Sequence, residues 1–204
     1  IHLLHEEANF LLINKPSGLL SLSGKHPLNK DSVHYRLVQD YPTATMVHRL
    51  DFGTSGIMLV ALNKSTNAHL TKQFQARSVD KRYRAILHGT VPNDSGQIDL
   101  PIAKDTFPLQ KICAAEGKQA LTHYQVLNRL EGDRTEVEFT PHSGRTHQLR
   151  IHSREMGHPI LGCDLYASDE AYFMAKRLML HATELCFDHP LTVERITGFC
   201  PCPF

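Results

Sequence analysis

The chain has 204 residues, of which 41% are hydrophobic and 21% are charged, and its formal net charge at pH 7 is +1. This composition is typical of a folded globular protein with one substantial core. The near-neutral charge excludes a uniformly basic surface that coats nucleic acid, so any affinity for RNA or DNA must come from local basic patches. No apolar run approaches the roughly 20 residues that a membrane-spanning helix needs.

The 5 cysteines include no C-x-x-C pair, and their odd number does not suggest a framework of disulfides. A reducing compartment suits this pattern, so we expect a cytoplasmic protein. The sequence begins at Ile1 rather than methionine, which leaves the position of the natural N-terminus open.

The first half of the sequence predicts short strands alternating with two helices. Residues 10–13 form an apolar run that predicts a buried strand, and the Pro- and Gly-containing turn 14–18 follows it. Asp31 is predicted to cap a short helix, and Ser65 is predicted to cap a longer one. The basic segment 81–89 alternates in the manner of a strand.

The second half predicts more strands than helices. The predicted segments are a strand at 97–102, an irregular loop at 106–117, a hairpin formed by 120–127 and 134–139, and a closing strand pair at 178–187 and 191–196. Thr146 is predicted to cap a helix that ends at Gly157, and Ser168 a second helix. The fold class is therefore α+β with a mainly antiparallel sheet. Because no linker or repeat is visible, we expect a single domain spanning 1–204.

Residues 46–56 form the stretch around which the chain is organised. Arg49 and Asp51 lie between β-forming residues and are followed by two glycines and two hydroxyl side chains, a pattern that predicts strand, tight loop and strand. Loops held by rigid strands often carry catalytic groups. The alternative is an exposed hairpin in which the two charges pair in solvent, which would contribute about 0–1 kcal/mol. This segment alone favours the exposed hairpin, so the rest of the chain must decide between the two interpretations.

The basic strand at 81–89 would place Lys81 and Tyr83 on one face and Arg82 and Arg84 on the other. Arginine beside an aromatic ring suits a surface on which bases stack. Cross-strand packing of Tyr83 is an equally common use of such a residue.

Several histidines lie close together in the second half of the sequence. His142, His147 and His152 are five residues apart, which does not align them on one helix face as the i, i+4 spacing of zinc ligands does. No H-E-x-x-H motif or cysteine pair accompanies them. We therefore expect neither a metal nor a cofactor.

A set of short motifs occurs in order along nearly the whole chain. They are Asn14-Lys15-Pro16-Ser17-Gly18, His48-Arg49-Leu50-Asp51, Thr54-Ser55-Gly56, Lys81-Arg82-Tyr83, Gly144-Arg145-Thr146-His147-Gln148-Leu149-Arg150 and Gly157-His158-Pro159-Ile160-Leu161-Gly162. Together they resemble the RluA family of pseudouridine synthases, whose hallmark is His-Arg-Leu-Asp followed by Thr-Ser-Gly. The chain departs from the family pattern at Cys163, where an aspartate is usual, and at Cys200, where an alanine is more usual.

This resemblance implies a catalytic domain with a mixed, mainly antiparallel sheet flanked by helices and loops, and an RNA-binding cleft across its middle. No S4-type RNA-binding module precedes the first motif in this sequence. The compact length and the C-terminal motifs are similar to family members that modify both a hairpin of large-subunit (23S) rRNA and the anticodon stem-loop of certain tRNAs. RNA stem-loops are thus the expected partners, and we expect a monomer.

The resemblance also implies roles for individual residues. Asp51 would be the catalytic carboxylate, acting either as a nucleophile or as a base that removes a ribose proton. Arg145 would be its guanidinium partner, and Tyr83 would stack on the uracil flipped out of the RNA. Arg49 would fill the place that the base leaves.

The remaining basic residues of the motifs are expected to contact phosphates, although each could equally be a solvated surface charge. They are Lys15, Lys81, Arg82, Arg84 and Arg150. Gly53 and Gly56 are expected to let RNA approach the backbone closely.

Two other classes of function compete with this one. The first is a non-catalytic RNA-binding protein in which Asp51 only pairs with Arg145. The second is a metal-dependent nuclease that uses the histidines, but this would need clustered carboxylates near His147 and His152, which the sequence lacks.

Overall fold

The computed structural model describes residues 1–204, with twelve strands and four α-helices. In chain order they are β1 (His2–Glu6), β2 (Phe10–Lys15), α1 (Val33–Leu37), β3 (Thr45–Met46), β4 (Ser55–Ala61), α2 (Lys64–Gln75), β5 (Asp80–His88), β6 (Ser95–Asp99), β7 (Ile102–Lys104), β8 (Gln110–Ile112), β9 (Leu121–Leu130), β10 (Arg134–Pro141), α3 (Gln148–Glu155), α4 (Asp169–Phe173), β11 (Leu180–Asp188) and β12 (Arg195–Phe199). None of these helices combines the length and the apolarity that crossing a membrane would require.

The chain forms two compact units. Unit 1 contains Ile1–Lys81 and Ala182–Pro203, and unit 2 contains Arg82–His181 with Phe204. The boundaries fall inside two strands, because the chain leaves unit 1 near the start of β5 and returns to it near the start of β11.

Unit 1 is built on strands in the order β1-β2-β4-β11, with β3 also pairing with β4 and β12 with β11. β2 and β4 are antiparallel, with Phe10 opposite Ala61 and Lys15 opposite Gly56. Every residue of β4 is buried. This explains its unbroken apolar run, which is typical of a strand covered on both faces.

Gly56 begins the close packing between β4 and β11. Its φ angle is +122°, and a Cβ at this position would lie 2.2 Å from the carbonyl oxygen of Ala182. Only glycine fits there, because a side chain would overlap the neighbouring backbone. The expectation that Gly56 gives RNA access to the backbone is therefore wrong, since β11 occupies that space.

Unit 2 contains strands in the order β5-β10-β9-β6. Antiparallel pairing places Val137 opposite Ala85 and Phe139 opposite Tyr83. Val137, Phe139 and Ala85 are fully buried and form the centre of a core that also includes Ile151 of α3. A separate hairpin, β7 with β8, completes this unit.

The predicted mainly antiparallel α+β architecture is confirmed, including the hairpin of β9 and β10. The predicted irregular loop at 106–117 is wrong in part, because β8 lies within it and pairs with β7. These two strands are only three residues long, too short for the alternation that identifies a strand in a sequence.

Three predicted helix caps are wrong and one is confirmed. Ser32 caps α1 by accepting a hydrogen bond from Tyr35 N, while Asp31 binds the guanidinium of Arg36. Asn63 caps α2 in place of Ser65. The N-cap of α3 is His147 and not Thr146. His147 has a left-handed backbone conformation, and its side chain makes no capping hydrogen bond. Ser168 caps α4 as predicted.

Candidate active site

The loop that carries Asp51 is held by hydrogen bonds from the segment 15–21, within unit 1. The hydroxyl of Ser21 donates to Leu50 O at 2.7 Å and accepts from Leu50 N at 3.0 Å. The hydroxyl of Ser17 donates to Gly53 O at 2.7 Å. The backbone of the loop is thus fixed on both sides of Asp51, a half-buried residue whose own carbonyl accepts from the N–H of Thr54.

Phe52 is fixed at its backbone in the same way. Its carbonyl oxygen accepts from Gly18 N at 2.8 Å and from Lys15 Nζ at 3.2 Å. The aromatic side chain itself remains exposed. Arg49, on the other side of Asp51, is also exposed.

Lys15 is fully buried. Its ammonium donates to the carbonyl oxygens of Pro16 at 2.9 Å, Leu19 at 2.7 Å and Phe52 at 3.2 Å. A buried ammonium needs such partners to offset its lost hydration. This placement favours a structural role, in which Lys15 ties the turn 14–18 to the Asp51 loop, over the predicted contact with a phosphate.

His48 anchors the other end of the same loop to β4. Its Nε2 accepts a hydrogen bond from Leu59 N at 2.9 Å, so the neutral ring carries its proton on Nδ1. The ring stacks on Phe74 of α2 with a centroid distance of 4.6 Å. Burial, assisted by the nearby positive charge of Lys81, lowers the pKa of His48 to about 3.

We expect this neutral histidine to contribute to the pH dependence of stability. The unfolded chain would bind a proton near pH 6.5 that the folded chain binds only near 3, so the free energy of unfolding should fall as the pH drops through this window. One such proton gives a slope of up to about 1.4 kcal/mol per pH unit. Urea unfolding of the parent and of His48→Gln between pH 7 and 4 should show a shallower slope for the variant. Identical slopes would contradict the assignment.

Lys81 is half-buried at the start of β5. Burial, with a further contribution from the charge of Arg77, lowers the pKa of its ammonium to about 8. Close to neutral pH it therefore still carries most of a positive charge.

The next three residues of β5, Arg82, Tyr83 and Arg84, belong to unit 2. Tyr83 is half-buried and packs against the core that contains Phe139. Arg82 lies 3.6 Å from a carboxylate oxygen of Glu138, and Arg84 lies 3.2 Å from one of Glu136. Both arginines keep about half of their side chains exposed, so each pairs across the strands and still presents charge to solvent.

The backbone around Arg145 is positioned by Gln148, in the first turn of α3. The Gln148 side-chain oxygen accepts from Arg145 N at 3.1 Å and from the hydroxyl of Ser143 at 2.7 Å. Its amide nitrogen donates to Leu121 O and to the hydroxyl of Thr122. The half-buried Arg145 donates from Nε to Gln119 O at 3.0 Å.

Gln148 was not among the predicted site residues, although its side chain holds the backbone at Arg145. A glutamine in the first turn of a helix that reaches back to the N–H three residues earlier resembles one half of a capping box. The three-residue spacing between Arg145 and Gln148 could therefore have indicated this contact from the sequence.

Arg150 is buried, in contrast to its predicted contact with RNA. Its guanidinium binds Asp164 at 2.6 Å, contacts the Cys163 thiol at 3.3 Å and lies over the ring of Tyr166. The hydroxyl of Tyr166 in turn contacts Nδ1 of His147 at 2.6 Å. This network favours a structural role for Arg150. The carboxylate in this network comes from Asp164, the residue after Cys163.

The histidines do not form a cluster, because each is held by different neighbours. His152 is buried between the hydroxyl of Thr122 and Leu100 O, whereas His142 contacts His123 at 2.9 Å on the surface. No group of three or more histidine, cysteine, aspartate or glutamate side chains is arranged to hold a metal ion.

The comparison with protein-family models decides the family. Residues 9–155 match the RNA pseudouridylate synthase family. The chain belongs to this family. It is accordingly an RNA pseudouridine synthase, an isomerase that acts on RNA.

The enzyme is similar to curated and solved members of the family over almost its full length. It is 49% identical to the dual-specificity RNA pseudouridine synthase RluA of Yersinia pestis, over 92% of each chain. It is 43% identical to RluA of Escherichia coli K12, covering 99% of this chain and 93% of that one. The structure of human RNA pseudouridylate synthase domain containing 1 superposes with a TM-score of 0.83 at 30% identity, covering 100% of the enzyme and 84% of the human chain.

Proposed function

We propose that the enzyme isomerises uridines in two kinds of stem-loop, one in large-subunit (23S) rRNA and one in the anticodon arm of tRNA, with Asp51 as its catalytic carboxylate. The observation that carries the role of Asp51 is the fixed loop on which it lies, with hydrogen bonds from Ser21 to Leu50 and from Ser17 to Gly53 on either side. The dual specificity of the curated relatives supports the pair of substrates.

The reaction needs one well-placed carboxylate and no redox change. The bond between ribose C1′ and uracil N1 breaks, the base turns, and a new bond joins C1′ to C5, which finally loses its proton while N1 gains one. Asp51 can serve as a nucleophile or as a base that removes a ribose proton. A fixed backbone aims the carboxylate at the reacting atoms before RNA binds, which lowers the entropic cost of reaching the transition state.

The other predicted residues act on the RNA around the reaction. Arg145 supplies a guanidinium partner for the carboxylate, Tyr83 stacks on the flipped uracil, and Arg49 fills the space that the base leaves. Exposed Arg49 is suited to enter an RNA loop. Lys81, together with Arg82 and Arg84, contacts phosphates. The enzyme works as a monomer in the cytoplasm, where rRNA and tRNA are found.

A turnover assay on two synthetic stem-loops tests this proposal. Each RNA carries tritium at C5 of its uridines, so that every isomerisation releases tritium into water. We expect release from both the rRNA hairpin and the tRNA anticodon arm, with full-length RNA recovered. Release from only one RNA would contradict dual specificity, and RNA that is bound without release, or cut, would contradict the proposed reaction.

Arg145→Lys tests whether the partner of the carboxylate must be a guanidinium. Lysine keeps the charge but lacks the planar fork and the Nε donor that here binds Gln119 O at 3.0 Å. We expect the rate of the bound complex to fall about 10- to 150-fold, the equivalent of one hydrogen bond to a charged group. Single-turnover kinetics at saturating enzyme measures this rate. A variant that retains the parental rate would show that charge alone suffices.

A further inference from the structure

Phe52 is the residue immediately after Asp51, and 58% of it is exposed to solvent. A single exposed apolar side chain is common on protein surfaces and by itself requires no explanation. The position of Phe52 is less common, because the ring projects from the loop that also carries the proposed catalytic carboxylate. Neither the core of unit 1 nor the proposed catalytic step uses this ring.

The backbone that carries the ring is held in place. The carbonyl of Phe52 accepts two hydrogen bonds, from Gly18 N and from Lys15 Nζ, and the next carbonyl, that of Gly53, accepts one from Ser17. The ammonium of Lys15 is itself fully buried, so this anchoring does not depend on a mobile surface side chain. The ring is therefore displayed on an ordered main chain, and little conformational freedom remains to be lost when a ligand binds.

We infer that Phe52 stacks on a nucleobase next to the target uridine in the RNA loop. Unpaired bases in RNA loops are typically recognised by stacking on exposed aromatic side chains, and phenylalanine offers this contact without a hydrogen bond that would select one base. A neighbouring base is the fitting ligand because the target uracil must be flipped toward the carboxylate, and its neighbours then lose a stacking partner. The inference rests on the proposed function, since it places the target uridine at Asp51.

Binding of a fluorescent stem-loop tests the inference without turnover. The RNA carries 2-aminopurine on the 5′ side or on the 3′ side of the target uridine, and all proteins carry Asp51→Asn so that no product forms. We expect Phe52→Ala to weaken binding roughly 5- to 150-fold and to abolish the change in 2-aminopurine emission at one of the two positions. Phe52→Tyr should restore both, because tyrosine keeps the stacking face.

Phe199→Ala is the matched control. Phe199 is 61% exposed, lies in the same compact unit and belongs to β12, away from the Asp51 loop in the chain. Phe199→Ala should bind the stem-loop with the Kd of the parent and give the same change in 2-aminopurine emission. Equal losses of affinity in Phe52→Ala and Phe199→Ala would overturn the inference. It would also be overturned if Phe52→Ala had the parental Kd and the parental change in 2-aminopurine emission. Thermal unfolding of both variants at the parental temperature excludes a folding defect.

Kinetics separate a failure of this inference from a failure of the proposed function. In the background of the native Asp51, Phe52→Ala should raise KM by the same factor as the Kd and leave kcat unchanged, because stacking on a neighbouring base is equal in the ground and transition states. A fall in kcat without a change in affinity would overturn the stacking inference. Turnover by Asp51→Asn would overturn the catalytic role of Asp51 alone, since the binding data for Phe52 do not depend on it.

Discussion

Replacing Asp51 by asparagine is expected to abolish pseudouridine formation while the RNA remains bound. Asparagine has nearly the same size, so the loop fixed through Leu50 and Gly53 should keep its shape. It is neither a competent nucleophile nor a base, however, so the loss should be at least the roughly 10²- to 10⁴-fold that a positioned acid or base contributes. Tritium release from C5-labelled hairpin RNA measures the loss.

Two further measurements distinguish a loss of catalysis from a loss of RNA binding or of folding. The Kd for the stem-loop should stay close to that of the parent, and the urea midpoint should not fall. Substantial turnover by Asp51→Asn would remove the carboxylate from the mechanism. Loss of turnover together with loss of binding would show that Asp51 is needed to hold the RNA and would contradict its assignment to the chemical step alone.

The second large effect is expected from Gly56→Ala, which should strongly destabilise the fold. The added methyl group would lie 2.2 Å from Ala182 O and 2.5 Å from Ala182 N, and the φ angle of +122° is unfavourable for alanine. Backbone strain and overpacking together should cost about 2–6 kcal/mol. This is a large part of the 5–15 kcal/mol by which proteins of this kind are typically stable. Urea unfolding, or the yield of soluble protein, measures the effect.

Gly157→Ala separates the two components of this cost. Gly157 also has a positive φ of +86°, but a Cβ there would have no atom within 4 Å. We expect it to cost only the backbone term, about 1–2 kcal/mol. If Gly56→Ala were no more destabilising than Gly157→Ala, the close approach of β4 and β11 at this point would be wrong.

Much of the architecture could be predicted because it depends on local pattern. β4 is apolar from Ile57 to Ala61 because the whole strand is buried, and the hairpin of β9 and β10 alternates around a glycine turn. The caps were harder to predict, because several polar residues adjoin each helix and the tertiary partners decide among them. Asp31 illustrates this, since its carboxylate binds Arg36 while its neighbour Ser32 caps the helix.

For the site residues too, local structure could be predicted from the sequence, whereas tertiary contacts could not. The spacing of Arg49 and Asp51 indicated a loop between strands, and that loop is present, but their chemistry came from the resemblance to a family and not from the spacing. A sequence motif does not show whether its charged side chains are buried. Lys15 and Arg150 look like solvent-facing charges in the sequence, yet both are buried among partners that no motif indicates, such as Phe52 and Asp164.

The discontinuity of unit 1 bears on how the protein is made. β4 must wait for β11, the neighbour whose backbone approaches Gly56, until roughly 120 further residues have been synthesised. At typical translation rates this takes about 6–24 s, during which the edge of this largely apolar strand that faces away from β2 is covered only at Val60 and Ala61, by the two-residue β3. Such an edge is a site for mispairing with other chains. We therefore expect a chain that ends before residue 182 to expose this edge and to aggregate more readily than the full chain.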